Sequence, residues 1–195
     1  MARLPLHDTD REIVSALRTG SASGGAALYD RYHRHVRRVL LRVLGQPAEL
    51  LDLEQDAFVT AIDTIRRLED PERLRAWLTS IAVFTARREI RRRARRRFFR
   101  LDADDELPEL EAPVASPEID EALRTTYRIF GKMPTDERIA FALRFVDGME
   151  LTEVAEACGV SLATVKRRVQ RARERFESMA SQYDELSSWR REGRS

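Results

Sequence analysis

The chain is poor in the residues that most catalytic or metal sites require. Its 195 residues contain one cysteine, Cys158, and three histidines, His7, His33 and His35. A single cysteine cannot form an internal disulfide, and a structural zinc site needs several cysteine or histidine ligands close together. The sequence also has no glycine-rich phosphate-binding loop. We therefore predict no catalytic residues, no metal site and no cofactor.

Long apolar stretches and strand patterns are also missing. Hydrophobic residues make up 43% of the chain, yet no run approaches the length of a membrane span and no signal-peptide pattern is found. β-Branched residues do not alternate with polar ones, and hairpin dipeptides are absent. We therefore predict an all-α, cytoplasmic protein without a membrane partner.

Charged residues are plentiful but unevenly distributed, which the net charge of +2 conceals. Nine arginines and one acid lie between residues 84 and 100, whereas nine acids and no base lie between residues 101 and 121. Residues 166–175 contain six basic residues and one acid. Two basic segments on either side of an acidic one indicate two sites for a polyanion.

Capping residues and apolar spacing predict helices along most of the chain. Thr9 and Glu12 form a capping-box pattern before a helix over residues 10–18. Further helices are expected over residues 25–44, over 48–68, and from Leu74 into the arginine run. In the second half, Ser116 and Thr135 are the expected N-caps.

The acidic stretch divides these helices into two small bundles. It contains Pro108 and Pro113 and has no lasting periodicity, so it is interpreted as a flexible acidic linker. The predicted organisation is an N-terminal domain over residues 8–97, the linker over 98–116, a C-terminal domain over 117–180 and a tail over 181–195.

Residues 151–176 have the pattern of a helix-turn-helix. A helix over residues 152–158 is followed by Gly159, which can turn the chain sharply, and by Ser161, which can cap the next helix. The apolar side chains of that helix recur every three or four residues and form an expected buried stripe of Leu162, Val165, Val169, Ala172 and Phe176.

The opposite face of this second helix is polar and basic. Lys166, Arg167, Gln170 and Arg171 project together and suit base edges, whereas Ser161 and Thr164 near the helix start suit phosphates. The alternative is a solvated helix face in a bundle. The turn, the cap and the sorted faces together favour recognition of DNA.

Three segments resemble the extracytoplasmic-function (ECF) sigma factors of the bacterial housekeeping-sigma family. Asp52-Leu53-Glu54-Gln55-Asp56-Ala57-Phe58 is similar to the family's polymerase-docking helix. The other two segments are residues 74–82, with Trp77, and residues 133–155. The resemblance covers residues 9–180. It implies that Asp52, Gln55 and Asp56 contact the clamp coiled coil of the largest polymerase subunit.

On the helix that contains this docking segment, Phe58 and Ile62 are expected to face inward. Glu54 stands where the family has an apolar residue.

The resemblance also implies that residues 69–73, including Arg73, and the Trp77 helix engage the promoter's upstream melting element. Trp77 lies on the apolar stripe and is expected in the core. Phe84 replaces the family's asparagine; either it reads the melting element differently or it only packs. Arg87, Arg88 and Arg91 form a basic face suited to upstream phosphates.

These features predict a sigma factor that directs core RNA polymerase to specific promoters. The expected partners are core polymerase, promoter DNA and an anti-sigma factor. The main alternative is a stand-alone helix-turn-helix regulator that acts without polymerase. A nucleic-acid enzyme would need clustered acids with metal-ligand geometry, and an adaptor with merely solvated basic helices would have little salt-dependent DNA affinity.

Overall fold

The computed structural model describes residues 9–45, 47–99, 117–183 and 186, and every regular element in these ranges is helical. The eight α-helices are α1 (Asp10–Arg18), α2 (Ala22–Leu44), α3 (Leu50–Thr64), α4 (Leu74–Phe99), α5 (Pro117–Lys132), α6 (Thr135–Phe141), α7 (Leu151–Cys158) and α8 (Leu162–Ala180). Two 3₁₀ turns, Ile65–Arg67 and Pro71–Arg73, lie between α3 and α4, and a π-helical turn, Ala142–Val146, extends α6.

Several sequence predictions fall outside the described residues. They are residues 100–116 of the predicted linker 98–116, which include Ser116, the expected N-cap of α5, and residues 184, 185 and 187–195 of the predicted tail 181–195. Residues 98 and 99, predicted as the start of the linker, belong instead to α4. The predicted helix starts and ends agree with the structure to within a few residues. One cap prediction is wrong, because Pro134 holds the N-cap position of α6 and Thr135 is the first helical residue.

The capping box at the start of α1 is confirmed, and it positions the residue that joins α1 to α2. Thr9 Oγ1 accepts from the Glu12 amide at 3.3 Å, and Glu12 Oε2 accepts from the Thr9 amide at 3.1 Å. The next residue, Asp10, accepts a hydrogen bond from the Tyr32 hydroxyl at 2.6 Å and pairs with Arg31 at 3.0 Å. The two helices are therefore connected by polar contacts beside their buried apolar side chains.

In the N-terminal half, helices α1, α3 and α4 pack around α2. The α2 side chains Leu28, Val36, Val39 and Leu40 are almost completely buried. Between α2 and α4, His35 Nε2 lies 2.8 Å from Thr79 Oγ1. Burial, followed by the nearby charges of Arg75 and Arg38, lowers the pKa of His35 to about 4. His35 is therefore a neutral hydrogen-bonding residue of the core at neutral pH.

The C-terminal helices α5–α8 pack around three phenylalanines. Phe130 of α5 meets Phe141 of α6 edge-on with ring centroids 5.7 Å apart, and Phe141 stacks on Phe176 of α8 at 4.7 Å. All three rings are buried. Edge-on and stacked arrangements are the favoured geometries of aromatic pairs, so this cluster fixes the position of α8 relative to the rest of the bundle.

The two helical groups also pack against each other. The Tyr127 hydroxyl of α5 donates to the Leu41 carbonyl oxygen of α2 at 2.9 Å. The ring of Tyr127 lies directly over Gly45, where a Cβ would come within 3.2 Å of it. Contacts between α4 and both α6 and α7 extend this interface along the molecule. Helical periodicity in the sequence gave no indication of this packing, because it reports only which face of each helix is buried.

Candidate nucleic-acid interface

The helix-turn-helix predicted from the sequence is present in α7 and α8. Helix α7 ends at Cys158, and Gly159 adopts a left-handed conformation with φ of 65°. Ser161 is the N-cap of α8, and its Oγ accepts from the Thr164 amide at 3.2 Å. The two hydroxyls of Ser161 and Thr164 are 2.9 Å apart. Both polar side chains thus lie at the first turn of α8, where the free amides and helix dipole favour an anion such as phosphate.

The inner face of α8 matches the predicted apolar stripe with one exception. Val165, Ala172 and Phe176 are buried, and Val169 is partly buried against the core. Leu162 was expected to be buried but is exposed. It is the first residue of α8.

The outer face of α8 carries the four predicted base-contacting residues. Lys166, Arg167, Gln170 and Arg171 are all exposed. The Gln170 amide donates to Glu174 Oε1 at 2.8 Å. In the part of the chain that the structure describes, no ion pair or hydrogen bond engages the side chains of Lys166, Arg167 or Arg171. These three cations are therefore available to an external polyanion.

The basic face of α4 is less uniform than its sequence suggests. Glu89 is buried at 2% exposure, and it accepts from Arg92 at 2.5 Å and from Arg93 at 2.6 Å. Burial favours the neutral acid, but these two hydrogen bonds and charges hold the pKa of Glu89 below its ordinary value. Glu49 of the α2–α3 connection lies close to the same arginines. Part of the arginine run therefore stabilises the fold.

The four arginines expected to meet DNA near α4 differ in their surroundings. Arg91 is exposed and has no ion-pair partner among the described residues. Arg73 pairs with Glu156, Arg87 with Asp136 and Arg88 with Asp56. Helical spacing in the sequence does not predict these acidic partners, since each pair joins residues at least 32 positions apart.

Phe84 and Trp77, both on α4, have different environments. Trp77 is partly buried and packs against the core, as expected from its place on the apolar stripe. Phe84 is 57% exposed, so packing does not account for this aromatic residue. The exposed ring is three, four and seven residues before Arg87, Arg88 and Arg91, which places an aromatic surface beside the basic one.

Helix α3 presents an outer face of mixed character. Asp52, Gln55 and Asp56 are exposed. The large apolar side chains Leu51 and Val59, before and after them in the sequence, are also exposed, although the spacing of Leu51 is that of the helix's apolar residues. Phe58 is buried as expected, but Ile62 is exposed, contrary to the prediction. An exposed apolar strip flanked by acids is typical of a protein-docking surface.

Glu54 lies on the inner side of α3. It is 2% exposed, and neither carboxylate oxygen has a hydrogen-bond partner within the described residues. Burial raises the pKa of Glu54, although the charges of Arg37 and His33 lower it in part. This is the position at which the sequence departs from an apolar pattern, and the structure buries the carboxyl without a hydrogen-bond partner among the described residues.

Two further properties concern the described residues as a whole. They contain no cluster of three or more histidine, cysteine, aspartate or glutamate side chains arranged to hold a metal ion. None of their helices is both long and apolar enough to span a membrane.

Comparison with known proteins assigns each half of the chain. Residues 28–96 match the family model of Sigma-70 region 2, and residues 123–176 match that of Sigma-70, region 4. The RNA polymerase sigma-H factor of Pseudomonas aeruginosa is 25% identical over 178 residues, which is 86% of this chain and 91% of that protein. The ECF RNA polymerase sigma-E factor of Haemophilus influenzae is 26% identical over 179 residues, covering 87% of this chain and 94% of that protein.

Solved structures agree with this assignment. CnrH, determined in complex with the cytosolic domain of CnrY, has a TM-score of 0.61 and 25% identity, covering 91% of this chain and 100% of that chain. The fold is also shared with the sigma factor RpoE, determined with the anti-sigma factor NepR from Bartonella quintana, at a TM-score of 0.61 and 22% identity over 80% of this chain and 95% of that chain. The chain belongs to the ECF group of the sigma-70 family, and it is a non-enzymatic RNA polymerase sigma factor for transcription initiation.

Proposed function

We propose that this sigma factor reads the distal promoter element through the outer face of α8. The observation that carries this assignment is that Lys166, Arg167 and Arg171 are exposed on the second helix of the helix-turn-helix and have no ion-pair partner among the described residues. Arginine and lysine suit the guanine edge in the major groove, and the Gln170 amide suits adenine. Ser161 and Thr164, at the start of α8, position the helix through phosphates.

Helix α4 and the turn before it engage the melting element and the duplex just upstream. Arg91, Arg87, Arg88 and Arg73 supply positive charge for phosphates. The exposed ring of Phe84 offers a stacking surface for an unpaired base, which suits a strand separated from its complement. An aromatic surface beside guanidinium groups supports this role, since single-strand sites combine stacking platforms with a basic groove.

Helix α3 docks on core RNA polymerase, with Asp52, Gln55 and Asp56 facing the clamp coiled coil of the largest subunit. Negative charge on this face complements a basic partner helix. The exposed side chains of Leu51 and Val59 add apolar area to the same face. Asp56 pairs with Arg88 in the free chain, but both side chains are more than half exposed, so this pair is weak and exchangeable.

The remaining assignments concern the domain bounds, the site of action and a further partner. The N-terminal sigma domain comprises residues 8–97, the acidic linker residues 98–116, the C-terminal sigma domain residues 117–180 and the tail residues 181–195. A polymerase subunit works at the chromosome, so its site of action is the bacterial cytoplasm. The similar proteins CnrH and RpoE were determined with CnrY and the anti-sigma factor NepR, which supports an anti-sigma factor as a partner of this chain.

Run-off transcription with purified core polymerase and a promoter library tests these roles separately. Arg171→Ala should lose promoter selectivity while still binding core polymerase. Arg173→Ala is the matched control, because Arg173 lies on the same helix but pairs with Glu177 at 2.7 Å. Core binding lost in Arg171→Ala, or selectivity lost equally in Arg173→Ala, would contradict the assignment.

Docking is tested with the double variant Gln55→Ala, Asp56→Ala. It should weaken core binding while leaving the circular dichroism spectrum unchanged. Asp63→Ala is the control, since Asp63 is exposed near the end of the same helix. Unchanged binding of the double variant to core polymerase would contradict the assignment of α3 as the docking helix.

A further inference from the structure

Residues 69–73, which we call the α3–α4 loop, form a largely exposed turn between two buried leucines. Leu68 and Leu74 are buried on either side of the loop, whereas most residues between them are exposed. Within the loop, Asp70 Oδ1 accepts from the Glu72 amide at 3.0 Å. This local hydrogen bond shapes the turn, but it does not fix the position of the turn relative to the rest of the molecule.

Helix α1 contacts this region with two arginines. Arg11 and Arg18 are seven residues apart and therefore share one face of α1. The Arg18 guanidinium donates to the Leu68 carbonyl oxygen, across 50 residues of sequence. Arg11 pairs with Glu72 of the loop at 3.6 Å. Helix α1 also packs against both 3₁₀ turns that precede α4. One helix thus contacts the chain just before the loop and within it.

Helix α1 is itself held firmly on α2. Near the end of α1, Leu17 is buried, and a Cβ at Gly24 of α2 would lie only 2.9 Å from the Leu17 amide nitrogen. At the opposite end, Asp10 accepts from the Tyr32 hydroxyl of α2 at 2.6 Å. Close packing at one end and a hydrogen bond at the other give α1 a defined position, so it can support the loop.

We propose that α1 positions the α3–α4 loop for recognition of the promoter's melting element, and that Arg18 is the positioning residue. The inference rests on the proposed contact of this loop with the melting element. Leu68 follows the end of a 3₁₀ turn, where carbonyl groups lack a helical partner. A charged donor forms the stronger kind of hydrogen bond to such an oxygen. Recognition by a loop requires this kind of support from a rigid element.

The two arginines contribute unequally. The side chains of Arg11 and Glu72 are 74% and 68% exposed, and an ion pair this exposed to water is weak. The hydrogen bond from Arg18 ends on a backbone oxygen beside the buried Leu68 side chain, so it acts directly on the path of the chain. Arg18 therefore determines the loop position more than Arg11 does.

A positioning role differs measurably from a direct contact between Arg18 and DNA. A direct phosphate contact would lower affinity for all promoter sequences alike and would reduce the dependence of binding on salt. A displaced loop instead changes the preference among melting-element sequences, while recognition of the distal element by α8 is unaffected.

The test uses Arg18→Met in the full-length chain, which removes the donor but keeps an unbranched side chain. Arg34→Met is the matched control, since Arg34 is exposed on α2 in the same half of the chain. Hydrogen exchange of the backbone amides reports on the loop in the free protein. Run-off transcription with core polymerase compares a promoter selected with the wild-type protein with derivatives that carry single-base changes in the melting or the distal element.

We expect faster amide exchange in the α3–α4 loop of Arg18→Met, but not of Arg34→Met. Discrimination between the selected melting element and its derivatives should fall about three- to tenfold, which is the effect of losing one net hydrogen bond. Discrimination at the distal element should not change. Arg18→Lys, which keeps a charged donor, should restore most of the discrimination, and Arg11→Met should cause a smaller loss.

Three results would overturn the positioning role of Arg18. They are unchanged amide exchange in the loop, an equal loss of discrimination at both promoter elements, and a loss of affinity that is uniform across sequences with a weaker salt dependence. If Arg18→Met fails to fold, Arg11→Met is assayed in the same way, and it should show faster loop exchange with a smaller loss of discrimination.

The two readouts separate this inference from the proposed function. Faster loop exchange with unchanged discrimination would contradict the contact of the loop with the melting element, and with it the inference. Unchanged exchange in Arg18→Met, when the wild-type chain discriminates among melting elements, would overturn the positioning role alone. A wild-type chain that does not discriminate among melting elements would contradict the proposed function itself.

Discussion

Arg138 of α6 caps the carboxyl end of α2: its Nε donates to the carbonyl oxygen of Val43 at 2.9 Å, across 95 residues of sequence. Val43 lies in the last turn of α2, where carbonyl groups have no partner within the helix and a cation is favoured by the helix dipole. The guanidinium also lies 5.7 Å from the centroid of the Phe130 ring. One side chain thus connects a helix end, the aromatic core and the interface between the two halves.

Replacing Arg138 should therefore weaken the fold beyond the loss of a surface charge. We expect Arg138→Met to lower the free energy of unfolding by about 1 to 2 kcal/mol, because a hydrogen bond from a charged donor to a partly buried carbonyl is lost. Urea denaturation measures the change. Arg124→Met, at an exposed position of α5, should have little effect; equal losses in both variants would contradict the capping role.

The turn of the helix-turn-helix can be tested with two glycines that have open space around them. A Cβ at Gly159 or at Gly131 would meet nothing within 4 Å, but Gly159 is left-handed, with φ of 65°. Gly159→Ala should cost about 1 kcal/mol through backbone strain alone. Gly131→Ala, within α5, should instead be neutral or stabilising by up to about 1 kcal/mol. Thermal unfolding of both variants distinguishes strain from crowding, and a stabilising Gly159→Ala would rule out the left-handed turn.

Glu54 predicts a specific dependence of stability on pH. Because burial raises its pKa in the folded chain above the ordinary 4.5, the unfolded chain releases this proton first as the pH rises. As the pH rises above about the ordinary carboxyl pKa, the wild-type chain therefore loses folding stability relative to a variant with a neutral side chain at position 54. Glu54→Gln should be more stable than wild type by about 1 to 2 kcal/mol at pH 7, with the difference vanishing near pH 4.

Urea denaturation at several pH values measures this difference. Glu121→Gln, at an exposed position, is the matched control and should show no such gain. A Glu54→Gln advantage that is constant with pH would point to packing rather than to the buried charge.

Phe84 predicts a defect in promoter opening without a defect in folding. Phe84→Ala should slow open-complex formation about tenfold, which corresponds to the loss of one base-stacking contact. Its thermal stability should be unchanged, because the ring is mostly exposed. The measurement is the fluorescence of 2-aminopurine placed in a promoter selected with the wild-type protein.

The conservative variant Phe84→Tyr serves as the control for this role, since it keeps the stacking surface and should retain promoter opening. Equal rates of open-complex formation for Phe84→Ala and wild type would show that the exposed ring does not contribute to promoter melting.

Local features of the fold were predictable because they depend on neighbours in the sequence. The capping box of Thr9 and Glu12, the left-handed Gly159 and the Ser161 cap are each set by residues within one helical turn. Periodicity failed at two positions. Leu162 and Ile62 have the spacing of buried residues, but they are 37% and 42% exposed.

The basic segments show most clearly which properties depend on the local sequence and which depend on the tertiary structure. Sequence alone determined that arginines are concentrated on α4 and α8, that the chain is helical, and that its motifs are those of a sigma factor, because composition, capping and spacing are local properties. Only the tertiary structure decided which of these charges are free. Arg171 is exposed and has no partner in the part of the chain that the structure describes, whereas Arg93 pairs with the buried Glu89 and Arg87 pairs with Asp136 of the other half. Ion pairs between distant segments depend on how the helices pack, and helical periodicity carries no information about that packing.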